Sequence, residues 1–114
     1  MDEIRKTTSG TIRGTVTDGI ASFLGVPYAA APVGERRFAL PAPISWDGER
    51  DATVHGANAA QLPPHPGMPD ITPITGPGWV PGAEYLTADV RTPATGDLLP
   101  VMVFVHGGAF TIGR

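Results

Sequence analysis

"PVMVFVHGGAF", residues 100–110, is the stretch on which the reading of the fold turns. Residues 101–105 are apolar without exception and run directly into His106, Gly107 and Gly108. A strand with no polar side chain suits the centre of a helix-flanked sheet, covered on both faces. It suits the core of a β-sandwich equally, and periodicity alone does not separate the two. The residues after the strand do separate them. A loop leaving the carboxyl end of a central strand is where open α/β sheets place ligands. Residues without a Cβ let a substrate touch the main chain there. Acyl transfer needs such bare amides, because the attacked carbonyl oxygen becomes an anion that rigid N–H groups stabilise. An isolated His-Gly-Gly is also what an ordinary tight turn looks like, so the rest of the chain has to decide.

The totals exclude several classes. With 114 residues the chain is long enough for one domain. Its 15 Gly and 13 Pro place much of it in turns and loops. A formal charge of −3 leaves no basic face for a phosphate backbone or an anionic membrane, so nucleic acid and membrane are not expected partners. Cysteine is absent, which excludes disulfides, thiol catalysis and Cys-based zinc sites and fits a reducing compartment. The start, "MDEIRKTTSG", has no apolar leader region, and no apolar run approaches a membrane span. A cytoplasmic protein without a cofactor is the expectation.

Working back from the opening stretch, "EYLTADVRTP" alternates Leu86, Ala88 and Val90 with Tyr85, Thr87 and Asp89, which predicts a half-buried strand ending at Pro93. Before it, 11 of the 21 residues from 62 to 82 are Gly or Pro. Such a segment cannot be a central strand or a stable helix. It is a functional wall or else disordered, and Trp79 favours a packed wall. A short strand is expected within "ERDATVHG". Earlier still, Ile12, Gly14 and Val16 alternate with Thr11, Arg13 and Thr15 ahead of Asp18-Gly19, the pattern of a β-hairpin whose turn needs positive φ.

These blocks together resemble the type-B carboxylesterase and cholinesterase family of α/β-hydrolases. "GTIRGTV", "FLGVPYAAAPVGERRFALPAP" followed by Trp46, "GERDATVHG", "DVRTP" and "LPVMVFVHGGAF" appear in the order and near the spacing of that family. The fold class the resemblance implies is α/β: the N-terminal part of an α/β-hydrolase fold, with antiparallel hairpin strands leading into the central sheet. It divides the chain into a long Pro/Gly-rich loop over about residues 59–85 and a central strand plus oxyanion loop over residues 100–110. It also implies a serine esterase in which Gly107 bends the loop and Gly108 and Ala109 supply N–H donors to the oxyanion. Ala109 stands where many relatives have a third glycine, which narrows the space beside the donor and leaves the donor intact.

His106 is not the general base on this reading, because α/β-hydrolase triads run nucleophile, acid, histidine, and His106 precedes any candidate serine. It is read as structural. His55 and His65 have no second ligand at a metal-binding spacing and are read as solvated.

Three departures from the family pattern stand out. The cysteines that close the long loop in many relatives, in "CxQ" and "EDCL" segments, correspond to Ala59 and Tyr85, so packing alone is expected to hold the loop. Ala83 and Glu84 take the places of the acid pair, which implies a weakened or shifted pairing of Arg37 with Glu84. No GxSxG elbow is present, and Ser9, Ser22 and Ser45 all precede the glycine loop without flanking glycines. The resemblance therefore implies an esterase of small-molecule carboxylic esters in a full-length parent, and a 114-residue piece that lacks nucleophile, acid and base and is inactive alone. It leaves a complementing chain with the rest of the fold as a partner. A truncated inactive fragment and a non-catalytic cholinesterase-like interaction module are the alternatives.

Overall fold

A computed structural model describes residues 1–63, 66–76, 78–96 and 98–113. Five strands form one sheet in the order β1-β2-β3-β5, with β4 paired to β2. They are β1 (Asp2–Lys6), β2 (Thr11–Thr17), β3 (Ile20–Pro27), β4 (Glu49–Asp51) and β5 (Thr87–Pro93).

The expected hairpin is β2 and β3, in antiparallel register Thr15↔Ser22 to Thr17↔Ile20. Asp18 at φ 50° and Gly19 at φ 76° make its two-residue turn, matching the twist of the strands. Ile12 and Phe23 from its inner face are buried, together with Ala21 and Ala52, and Val16, Val26, Trp46 and Ala94 pack around them. Gly14 is required here: a Cβ would run into the Ser22 carbonyl and the Phe23 ring.

Beyond that point β2 and β3 splay, and β4 enters the gap, parallel to β2 with Ile12 opposite Arg50. Ala52 holds the opening from both sides, donating to Arg13 O at 2.7 Å and accepting from Leu24 N at 2.8 Å. Arg13 secures the same junction through Glu49 at 3.1 Å and Asp51 at 3.3 Å.

Strand β1 has no apolar alternation to announce it. It forms because the Thr7 hydroxyl closes the turn back to β2, accepting from the amides of Ser9 and Gly10 at 3.2 Å each. β5 joins β3 across a register shift between Phe23 and Val26, where Gly25 takes φ 64°. The Asp89 carboxylate binds that kink, accepting from Gly25 N at 2.9 Å.

Two expectations about the outer elements need correction. β5 is not half-buried: Ala88 and Val90 are exposed, and β5 is the last strand of the sheet. The apolar residues 101–105 form no strand here and are 79–92% exposed. A both-faces-buried strand gains its stability from neighbours on each side, and no strand among the described residues lies beside this one. Accordingly the chain is open, with a radius of gyration of 15.7 Å against roughly 13 Å for a compact domain of this length.

Among the described residues the Pro/Gly-rich loop contains one helical turn, α1 (Thr72–Thr75), whose Thr72 amide and hydroxyl donate to Asp70 Oδ1 at 2.9 and 2.6 Å. Trp79 is 54% exposed and does not pin the loop. Asn58 does, and packing alone is not the device. Its buried side chain donates to Gly78 O at 2.7 Å and accepts from Val80 N at 2.7 Å, while its amide donates to Val80 O at 3.1 Å. Three bonds thus close the loop one residue from the cysteine-equivalent Ala59. Among the described residues no helix is long and apolar enough to cross a membrane.

Candidate active site

The three residues singled out for the oxyanion loop, Gly107, Gly108 and Ala109, come after the exposed apolar stretch in a tight curl. Gly108 has φ 127°, and Ala109 and Phe110 continue at φ 52° and 62°. A Cβ on Gly108 would drive into the Ile112 carbonyl, so only glycine fits at this point of the curl. The carbonyl of Gly108 turns inward and accepts from Thr111 N at 3.0 Å, Ile112 N at 3.2 Å and Thr111 Oγ1 at 3.1 Å. The amides of Gly108 and Ala109 donate to no group among the described residues. Two neighbouring N–H donors left outside the turn's own bonding are what a developing oxyanion needs.

His106 is exposed, and its Nδ1–H donates to the carbonyl of Gly107 at 2.8 Å. His55 is not merely solvated: its Nδ1 meets Asp89 Oδ2 at 2.6 Å, on the carboxylate that also holds Gly25. His65 lies outside the described residues. Among the described residues no cluster of three or more His, Asp or Glu side chains is placed to hold a metal.

The expected Arg37–Glu84 pairing is replaced by a different one. Glu84 pairs with Arg50, which also lies 5.4 Å from the Trp46 ring. Arg37 donates instead to the Tyr85 hydroxyl at 3.0 Å, so the residue at the cysteine-equivalent position supplies the arginine's partner. β4 carries Arg50 directly under the 84 position, and this proximity is invisible in the spacing of the sequence. A cleft of about 400 Å³, lined by Gly25, Arg50, Gly56 and Glu84 among others, does not include the glycine loop.

One residue absent from the sequence-based expectations reaches the far end of the glycine loop. Gln61 closes the "CxQ"-like segment, and its side chain bonds both backbone groups of Gly113. The glutamine of that segment was the available signal, and nothing in its spacing tells which residue it meets.

With this geometry in view, comparison with known proteins is specific. The family model described as the carboxylesterase family matches residues 1–114. The acylcarnitine hydrolase of Mus musculus is 39% identical over 96% of this chain. The para-nitrobenzyl esterase of Bacillus subtilis is 36% identical over 97% of it. A solved PNB esterase superposes with a TM-score of 0.80 at 34% identity, covering 97% of this chain and 22% of its own. This chain likewise spans 22% of the length of each of the two named relatives.

Proposed function

The chain belongs to the carboxylesterase family and forms an N-terminal part of an α/β-hydrolase fold, and on that premise we propose that it supplies the oxyanion loop of a serine carboxylesterase. The observation that carries the proposal is the pair of amides at Gly108 and Ala109, left without partners among the described residues by a curl that only glycine can begin. The 114 residues contain no GxSxG. The nucleophile, acid and base of the reaction then belong to sequence outside them, and these residues alone do not turn over substrate.

In this mechanism a serine hydroxyl adds to the ester carbonyl and gives its proton to a histidine. The carbonyl oxygen, now an anion, accepts from the Gly108 and Ala109 amides. Collapse breaks the ester bond, the alcohol leaves with the histidine's proton, and an acyl-serine remains. Water repeats the sequence and releases the acid. Residues 101–105 dock as a central strand once neighbouring strands are present, which hides their apolar faces and aims the loop. Small-molecule carboxylic esters are the substrate class.

Hydrolysis of p-nitrophenyl acetate by the full-length polypeptide that carries this chain tests the reading. Gly108→Ala should lower kcat by about 10²–10³ with little change in KM, the loss seen when one oxyanion donor is displaced. The 114-residue chain alone should show no turnover and no labelling by a serine-directed phosphonate. A Gly108→Ala enzyme turning over at the wild-type rate, or a full-length protein without esterase activity, overturns it.

A further inference from the structure

We propose that Gln61 is a positioning residue of the glycine loop, clamping its far end so that the donor amides keep one orientation; the inference rests on the esterase reading above. Gly113 N donates to Gln61 Oε1 at 3.2 Å, and Gln61 Nε2 donates to Gly113 O at 3.0 Å. A carboxamide places a donor and an acceptor side by side, so it can satisfy both backbone groups of one residue as a neighbouring strand would. Here it does so across 52 residues of sequence, in a part-buried setting.

What Gln61 holds matters for the site. Gly113, at φ 109°, is pressed against the start of the loop, where a Cβ would lie 2.5 Å from both Gly107 O and His106 Nδ1. Fixing Gly113 therefore fixes both ends of the curl between His106 and Gly113. Among the described residues the remaining bonds of the curl are local, to the carbonyls of Gly107 and Gly108, and they shape the turn without anchoring it to the rest of the chain. The clamp ties the curl to the base of the Pro/Gly-rich loop, where Gln61 sits three residues after the loop-closing Asn58. Donors that hold still before reaction stabilise the oxyanion without reorganising. Gln61 touches no reacting atom, so its effect is on the quality of the donors.

The test uses the full-length polypeptide with Gln61→Ala, which removes both bonds, and Gln61→Glu, which keeps the acceptor and loses the donor. Three quantities are read: kcat and KM for p-nitrophenyl acetate, the inhibition constant of a trifluoromethyl ketone that forms a tetrahedral oxyanion on the serine, and the hydrogen exchange rate of the Gly113 amide. Gln61→Ala should lower kcat by about 10-fold, the scale of a sub-ångström misplacement, with KM within about twofold. Ketone binding should weaken by a similar factor, Gly113 exchange should accelerate, and Gln61→Glu should fall between Ala and wild type. A Gln61→Ala enzyme that loses only melting temperature, with kcat and ketone affinity unchanged well below melting, overturns the proposal. A wild type that exchanges Gly113 slowly yet hydrolyses no ester sinks the esterase reading and the positioning role of Gln61 with it. Fast Gly113 exchange in an active wild type sinks the clamp alone.

Discussion

The N-terminal sheet and the stretch from residue 98 to 113 are both rich in strand-forming residues, yet only the first is a sheet. β2 and β3 are joined by a two-residue turn, so their partner arrives with the turn itself. β4 and β5 then add to edges already standing. Residues 101–105 are more apolar than any of these strands, and they pair with nothing among the described residues. Hydrophobicity supplies a reason to be covered and no information about what does the covering. A strand that alternates is already half-specified by its own turn; a uniformly apolar one is specified by neighbours far away in sequence.

The sharpest way to break the contrast is to truncate a phenylalanine in each region. Phe23 is 3% exposed and Phe104 is 84% exposed. Phe23→Ala should cost about 3–5 kcal/mol in urea unfolding of the chain, whereas Phe104→Ala should stay within about 0.5 kcal/mol. An equal loss at both would mean that residues 101–105 are covered in solution.

A smaller effect tests whether the Pro/Gly-rich loop belongs with the ordered region. Asn58→Ala removes two side-chain bonds and leaves Val80 N and Gly78 O without that partner. About 1–3 kcal/mol should be lost, with faster proteolysis between residues 62 and 78. Unchanged cleavage would return the loop to being held by packing.

The smallest effect is acid sensitivity. The Thr53 hydroxyl, then its amide, hold the Asp51 carboxyl below its ordinary value, and Thr72 acts on Asp70 in the same way. Because both folded values lie below the unfolded ones, these carboxylates stabilise the fold fully above about pH 4. Their contribution is lost as pH falls through the folded values. Denaturation midpoints at pH 6 and pH 3 should differ less in Asp51→Asn than in wild type. An identical difference in both proteins would remove Asp51 from the account.

Much of this was legible before any coordinates. The hairpin over Ile12 to Phe23, a short strand within residues 49–56 that the structure confines to Glu49–Asp51, the strand ending at Pro93 and the family itself come from local patterns: alternation, an Asp-Gly turn, and ordered blocks of residues. The candidate loop was visible too, because the Gly107-Gly108 pair is a covalent fact that marks bare backbone wherever it lies. Strand β1 was not visible, since an edge strand with exposed faces needs no apolar pattern and forms through backbone bonds to β2.

What the amino-acid sequence determined on its own, then, is everything set by neighbours in the chain: where turns fall, which faces are apolar, which amides carry no Cβ beside them. Tertiary structure alone decided the pairings across distance. Arg50 took Glu84 and left Arg37 to Tyr85, Asn58 closed the loop that has no disulfide, and Gln61 reached Gly113. Each of these depends on hydrogen-bond geometry that is lost within an ångström or two, and separation along the chain carries no record of that distance.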